Sequence, residues 1–158
     1  MQGNFRGGST SRWLGAALLW VLGVTPLLAA DSNIVKTRVA GYREIGAAFK
    51  AINDQLRSGT PQPYLLQVSA REIANGTREQ YRWFPAGSGP APGVKTRAKV
   101  AIWGQPAKFK ALQDNFAAKA GALAAATKGK DAARIQAAAK ALGAACKACH
   151  TVYREEED

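Results

Sequence analysis

The chemistry of this chain is concentrated in Cys146-Lys147-Ala148-Cys149-His150, close to the C-terminus. Two thiols three positions apart, with a histidine directly after the second, is the spacing of a covalent c-type haem attachment site. On a helix, positions i and i+3 share a face, so both sulfurs can reach the two vinyl groups on one edge of a porphyrin. His150 can then turn its ring to the iron as the proximal ligand. Three other chemistries use a CxxC pair: a redox dithiol, half of a zinc site, and a structural disulfide. A structural zinc site needs about four ligands, and the sequence holds 2 Cys and 1 His in all. A thioredoxin-like dithiol belongs to an alternating strand–helix pattern, which is absent. Covalent attachment of one haem c is the reading these residues favour.

Absent residues sharpen it. The only methionine is Met1 and the only histidine is His150. Six-coordinate cytochromes usually hold iron with His and Met or with two His, and neither pair can be assembled here. Tyr and Lys remain as side-chain donors. Tyrosine ligation occurs in haem proteins, which keeps Tyr42 open as a ligand; a lysine would first have to lose its proton in a buried site. The expectation is five-coordinate iron with an open sixth position, suited to small gases, while redox chemistry stays available to the metal.

Four helical segments must position this site. In the first, 33–57, Val35, Arg38, Tyr42, Ile45, Phe49, Ile52 and Leu56 are spaced 3 or 4 apart, which is one stripe of a helix. Gly59 and Pro61 end it. The second, 63–75, carries Leu66, Ala70 and Ile73 on one face, with a turn or kink at Asn75-Gly76-Thr77. A further helical turn over 78–84 would put Tyr81 and Phe84 inward. Residues 85–93, rich in Pro and Gly, form a crossing loop. The third segment, 96–126, has the stripe Ile102, Phe109, Leu112, Phe116, Ala120 and Leu123, and Pro106 forces a kink or restart. After a turn at 128–130, the fourth runs over 131–154 with Asp131 at its N-cap. Ile135, Leu142 and Cys149 recur every seventh residue, with Ala139, Cys146 and Tyr153 as the partner row. Both cysteines therefore lie on the apolar seam. No stretch alternates with period 2, so no sheet is expected. The fold class is all-α, an antiparallel four-helix bundle with covalently bound haem.

Residues 1–30 stand apart from this domain. Arg6 and Arg12 precede the apolar run 13–28, and Leu28-Ala29-Ala30 offers a small-residue cleavage site. That is the pattern of a secretory signal peptide, and the run is short for a membrane span. Export suits a c-type haem protein, so the expected compartment is a bacterial periplasm, with cleavage near Ala30 and a domain over 31–158. Without Arg6 and Arg12 that domain carries 20 basic and 11 acidic residues. The cations are scattered, without a nucleic-acid signature, and read as a solvated basic surface. The acidic tail 155–158 reads as a frayed end. No acid/base pair or activated nucleophile is evident, so the chain is not read as an enzyme.

With these residues in place, the chain resembles cytochrome c′, the class II cytochrome c family, over essentially all of 31–158. The resemblance rests on Cys146–Arg154 at the C-terminal end, on Val35-Lys36-Thr37-Arg38 followed by Tyr42 and Gly46, on Trp83–Gly89, and on Lys99-Val100-Ala101-Ile102-Trp103. It implies that Cys146 and Cys149 carry the haem thioethers and that His150 is the proximal ligand. It further implies that Arg38 contacts a haem propionate, Tyr42 lies over the distal face, and Arg154 lies near the exposed proximal side. In related six-coordinate members the Tyr42 position is a ligating Met. Family members bind NO and CO and commonly dimerise through the first two helices. The function expected is a periplasmic haem protein binding NO and CO at an open iron face, with electron transfer to an unknown redox partner also open to it. A dedicated electron-transfer cytochrome is the alternative.

Overall fold

The computed structural model of the chain describes Gly3 and residues 27–129 and 131–156; side chains are described from Asn33 onward. Most of the expected signal peptide, Lys130 of the last turn, and Glu157 and Asp158 of the tail lie outside the described residues.

Four long helices form the body: α1 (Leu27–Arg57), α2 (Pro63–Glu79), α4 (Pro106–Ala126) and α5 (Ala132–Tyr153). A single turn, α3 (Ala101–Gly104), leads into α4, and a 3₁₀ turn, Gln80–Arg82, follows α2. Among the described residues there is no strand, only an isolated bridge between Ala98 and Arg154. α1 packs on α2 and α5, and α4 packs on α2 and α5. Side chains from the middle of α1, the end of α2, the first half of α4 and the end of α5 meet in one part of the molecule. Tyr42 bonds Gln80, Gln80 bonds Gln113, and Phe109 stacks edge-on with Tyr153. Neighbouring helices therefore run antiparallel, as expected of a four-helix bundle.

The stripes are the core. Ile52, Ile73, Leu123 and Leu142 are fully buried, together with Ile45, Leu66, Ala70, Phe116, Ala120, Ile135 and Ala139. Fully burying a large aliphatic side chain contributes about 1.5–3 kcal/mol, so these rows hold the four helices together. A second, smaller cluster of Ile102, Phe109 and Tyr153 closes the end where the helices meet. Helix ends follow local chemistry. Gly59 adopts φ +75° just past α1, Pro106 opens α4 at its first position, and Asp131 accepts a hydrogen bond from the Arg134 N–H at 3.0 Å as the α5 N-cap.

Four expectations need correction. α2 does not turn or kink at Asn75-Gly76-Thr77 but continues to Glu79. Gly76 is there because α1 lies close: a Cβ at 76 would meet Ile45 Cγ1 at 2.6 Å. Gly41 plays the same part on α1, where a Cβ would run into the Trp83 ring. Because α2 continues, Tyr81 faces outward and donates to Asp114, while Gln80 takes the buried place.

Residues 96–100 are not helical. Lys99 N–H donates to the Tyr153 carbonyl at 2.9 Å and Glu155 N–H to the Arg97 carbonyl at 2.8 Å. A helix leaves its last carbonyls unsatisfied, and this extended segment serves the end of α5. The same pairing ties down Glu155, so the acidic tail does not fray at its first residue.

Candidate functional site

Cys146 and Cys149 lie in the last two turns of α5 as half-buried free thiols. They face different parts of the interior. Cys146 packs against the main core, and Cys149 against the Ile102–Phe109–Tyr153 cluster. Burial pushes the Cys146 thiol up. Burial and then the Cys146 neighbour push Cys149 up to about 11. A catalytic dithiol needs a depressed thiol pKa to expose a thiolate, so this pair lacks the electrostatics of a redox CxxC. Among the described residues no group of three or more His, Cys, Asp and Glu is placed to hold a metal ion, which leaves the zinc reading without ligands.

His150 lies on the surface side of α5. Packing along its flank, then the charges of Arg154 and Arg97, hold its pKa below the ordinary histidine value. Neutral imidazole is the form that ligates a metal. Arg154 is exposed just past the end of α5. Its charge is felt at His150.

Tyr42 is half-buried on α1 and within electrostatic reach of both thiols. Its ring meets Trp83 edge-on at 4.9 Å and Phe84 at 6.2 Å between centroids. Burial first, then the Cys149 thiol, raise its pKa far above the usual tyrosine value, with Arg38 and the Gln113 amide opposing. It is a neutral phenol, and its hydroxyl donates to Gln80 Oε1 at 3.3 Å.

Arg38 is 3 % exposed. One terminal nitrogen donates to the Trp83 carbonyl at 3.1 Å and to Ser88 Oγ at 3.3 Å. The other donates to the Ser88 carbonyl and to Thr96 Oγ1, both at 3.0 Å. Its guanidinium also stacks over Phe84 at 4.7 Å and Trp103 at 5.7 Å. Burial lowers its pKa, with Tyr42 opposing, but an arginine stays charged in proteins. No carboxylate lies against it among the described residues. The buried charge is thus bound into the crossing loop by dipoles and rings, without a counter-anion among the described residues.

The structure therefore gathers Cys146, Cys149, Tyr42 and Arg38 at one end of the bundle, with His150 and Arg154 on the outer side of α5 nearby. Three participants had no assigned role in the sequence: Gln80, Gln113 and Thr96. A signal existed for two of them. Gln80 continues the stripe Leu66, Ala70, Ile73, Thr77, beyond the turn expected at Asn75-Gly76-Thr77. Gln113 lies four positions after Phe109 and three before Phe116, a polar residue on an apolar face.

The chain is similar to known proteins over most of its length. The family model described as cytochrome c′ matches residues 33–154. A cytochrome c′ of Rubrivivax gelatinosus is 40% identical over 95 residues, covering 60% of this chain and 74% of that protein. The crystal structure of cytochrome c′ from Thermochromatium tepidum superposes with a TM-score of 0.75 at 27% identity, covering 80% of this chain and 97% of that one. A second solved cytochrome c′, described as having an unusual ligand-controlled dimer dissociation, gives a TM-score of 0.75 at 26% identity over 80% of this chain and 97% of its own. Proteins of this kind carry covalent haem c, and the two cysteines it needs are present here. With a model match over four-helix core and CxxCH alike, this chain belongs to the cytochrome c′ family.

Proposed function

We propose that this chain is an exported haem c protein whose iron is five-coordinate and binds NO and CO on its open face. Its own residues fit the group. Two thiols three positions apart on α5 would form two thioethers, and His150 would follow as the proximal ligand. The uncompensated charge of Arg38 answers a propionate, although its terminal N–H groups are already engaged by the loop. Iron held by one histidine would supply the sixth coordination site at which a diatomic gas binds.

One observation carries the open-face reading. The side chains that other segments bring to this end include Tyr42, Gln80, Phe84, Phe109 and Gln113, none of them a His or Met. The only ligand of any strength among them, Tyr42, has its proton and gives it to Gln80. Tyr42 and the Trp83 and Phe84 rings restrict entry and disfavour water. Among the described residues no helix is long and apolar enough to cross a membrane.

Isolated from the periplasm, the protein is expected to begin at Asp31 and to show a high-spin spectrum, in the ferrous state, that changes on adding CO or NO. A low-spin spectrum indifferent to both gases would transfer the assignment to a dedicated electron carrier. The absence of any Soret band would remove haem altogether.

The same proposal includes a homodimer through α1 and α2. A groove of ≈410 Å³ lies between them, lined by Gly41, Ile45, Val68, Arg71 and Gly76 among others. Beside it on α2, Tyr64 is 74% exposed, and Leu65 and Val68 are partly so. One of the relatives above couples dimer dissociation to its ligand. Sedimentation equilibrium is expected to give twice the chain mass; a strictly monomeric species at all concentrations would discard the dimer.

A further inference from the structure

Gln80 and Gln113 are buried at the end of the bundle that carries the thiols, at 1% and 6% exposure. They come from elements far apart in sequence, the turn after α2 and the middle of α4. Each donates its side-chain amide to the other's backbone carbonyl: Gln80 Nε2 to Gln113 O at 3.2 Å, and Gln113 Nε2 to Gln80 O at 3.3 Å. A carbonyl can only accept, so the NH₂ end of Gln80 must face α4. That leaves Gln80 Oε1 facing Tyr42, and an amide oxygen can only accept as well. The Tyr42 hydroxyl is therefore the donor in its 3.3 Å contact with Gln80. A phenol has one proton to give, and it is committed.

We propose that Gln80 and Gln113 are positioning residues that hold the Tyr42 hydroxyl as a donor to the protein, so that a diatomic ligand meets the tyrosine ring and no O–H. This rests on the haem and the open face of the preceding proposal. The paired glutamines determine what kind of distal face a tyrosine makes. Left unrestrained, the hydroxyl could donate to a bound gas or turn its oxygen to the iron. With the donor engaged, Tyr42 acts as an apolar wall, and the site favours neutral ligands over water or anions that need a donor. The cost of a buried polar pair is met because each amide finds a partner; among the described residues no buried side-chain polar atom lacks one.

The test uses the intact holoprotein with CO as the probe. The C–O stretching frequency of the ferrous complex reads hydrogen bonding to the bound gas, which a purely structural role would not move. Tyr42→Phe, which removes one oxygen, is expected to leave the stretch where it is. Gln80→Leu is expected to move it to lower wavenumber as the released hydroxyl donates to CO, and adding Tyr42→Phe to that variant should restore the parent value. The idea is overturned if Tyr42→Phe alone shifts the stretch, because the hydroxyl then already faces the ligand. It is equally overturned if folded Gln80→Leu gives the parent frequency. Should Gln80→Leu not fold, the Tyr42→Phe measurement still decides. A protein that forms no CO complex fails the preceding proposal instead, and is recognised at once by its unchanged spectrum.

Discussion

Replacing Arg38 by alanine is expected to destabilise the protein by about 2–5 kcal/mol, since each buried acceptor left without a partner costs about 1–3 kcal/mol. The guanidinium serves the carbonyls of Trp83 and Ser88 and the hydroxyls of Ser88 and Thr96. The hydroxyls can turn elsewhere: Ser88 also donates to the Pro85 carbonyl, and Thr96 Oγ1 also accepts from Ala98 N–H. The two carbonyls are held in a loop without regular structure and have no such freedom. Removing a buried charge returns some desolvation free energy, but alanine leaves a hole beside Phe84 and Trp103, so the loss wins. A midpoint of thermal unfolding lower by on the order of 10 °C follows for a domain of this size. Arg38→Lys should recover little, because an ammonium cannot reproduce the planar fork. A denaturation curve for Arg38→Ala within about 1 kcal/mol of the parent would mean that the loop does not depend on this residue.

Changing both Cys146 and Cys149 to alanine is expected to take covalent haem from one per chain to none. Each thioether forms by addition of one S–H across one vinyl group, so attachment needs the sulfurs and little else from this helix. After unfolding in detergent and electrophoresis, the parent band should retain haem and the double variant should carry none. The single variants should each keep haem through the remaining sulfur. They are not equivalent, because Cys146 packs on the main core and Cys149 on the smaller end cluster. Haem that stays with the double variant through unfolding would show that the attachment chemistry lies elsewhere in the chain.

How much of this was legible beforehand differs by element. The α1 stripe faces inward as its spacing gives, with Val35, Arg38, Ile45 and Ile52 buried and Tyr42, Phe49 and Leu56 half-buried, because a single amphipathic helix declares its inner face by local repetition alone. The α5 seam and its Asp131 cap were equally readable. The turn signal Asn75-Gly76-Thr77 argues for ending α2 at Asn75, because glycine disfavours an isolated helix. What retains it in α2 is Ile45 on another helix, and no local rule reports a close neighbour. Residues 96–100 hold no member of the third stripe and pair instead with the end of α5, since the carbonyls left open there offer hydrogen bonds that a lone segment does not see.

The chemistry of the site is local and compositional, and it could be read in one dimension. A CxxCH on a helical seam calls for haem c, and a chain with one His and no internal Met cannot complete a His/Met or His/His pair. The surroundings of that site depend on contacts between residues 33 to 58 positions apart. Periodicity says which side of a helix is buried. It does not say which partner a buried polar group will meet, because that depends on how the helices are registered against one another. Folding therefore decided that Arg38 is bound into the crossing loop, that Gln80 and Gln113 grip each other's backbone, and that Tyr42 spends its one proton on Gln80.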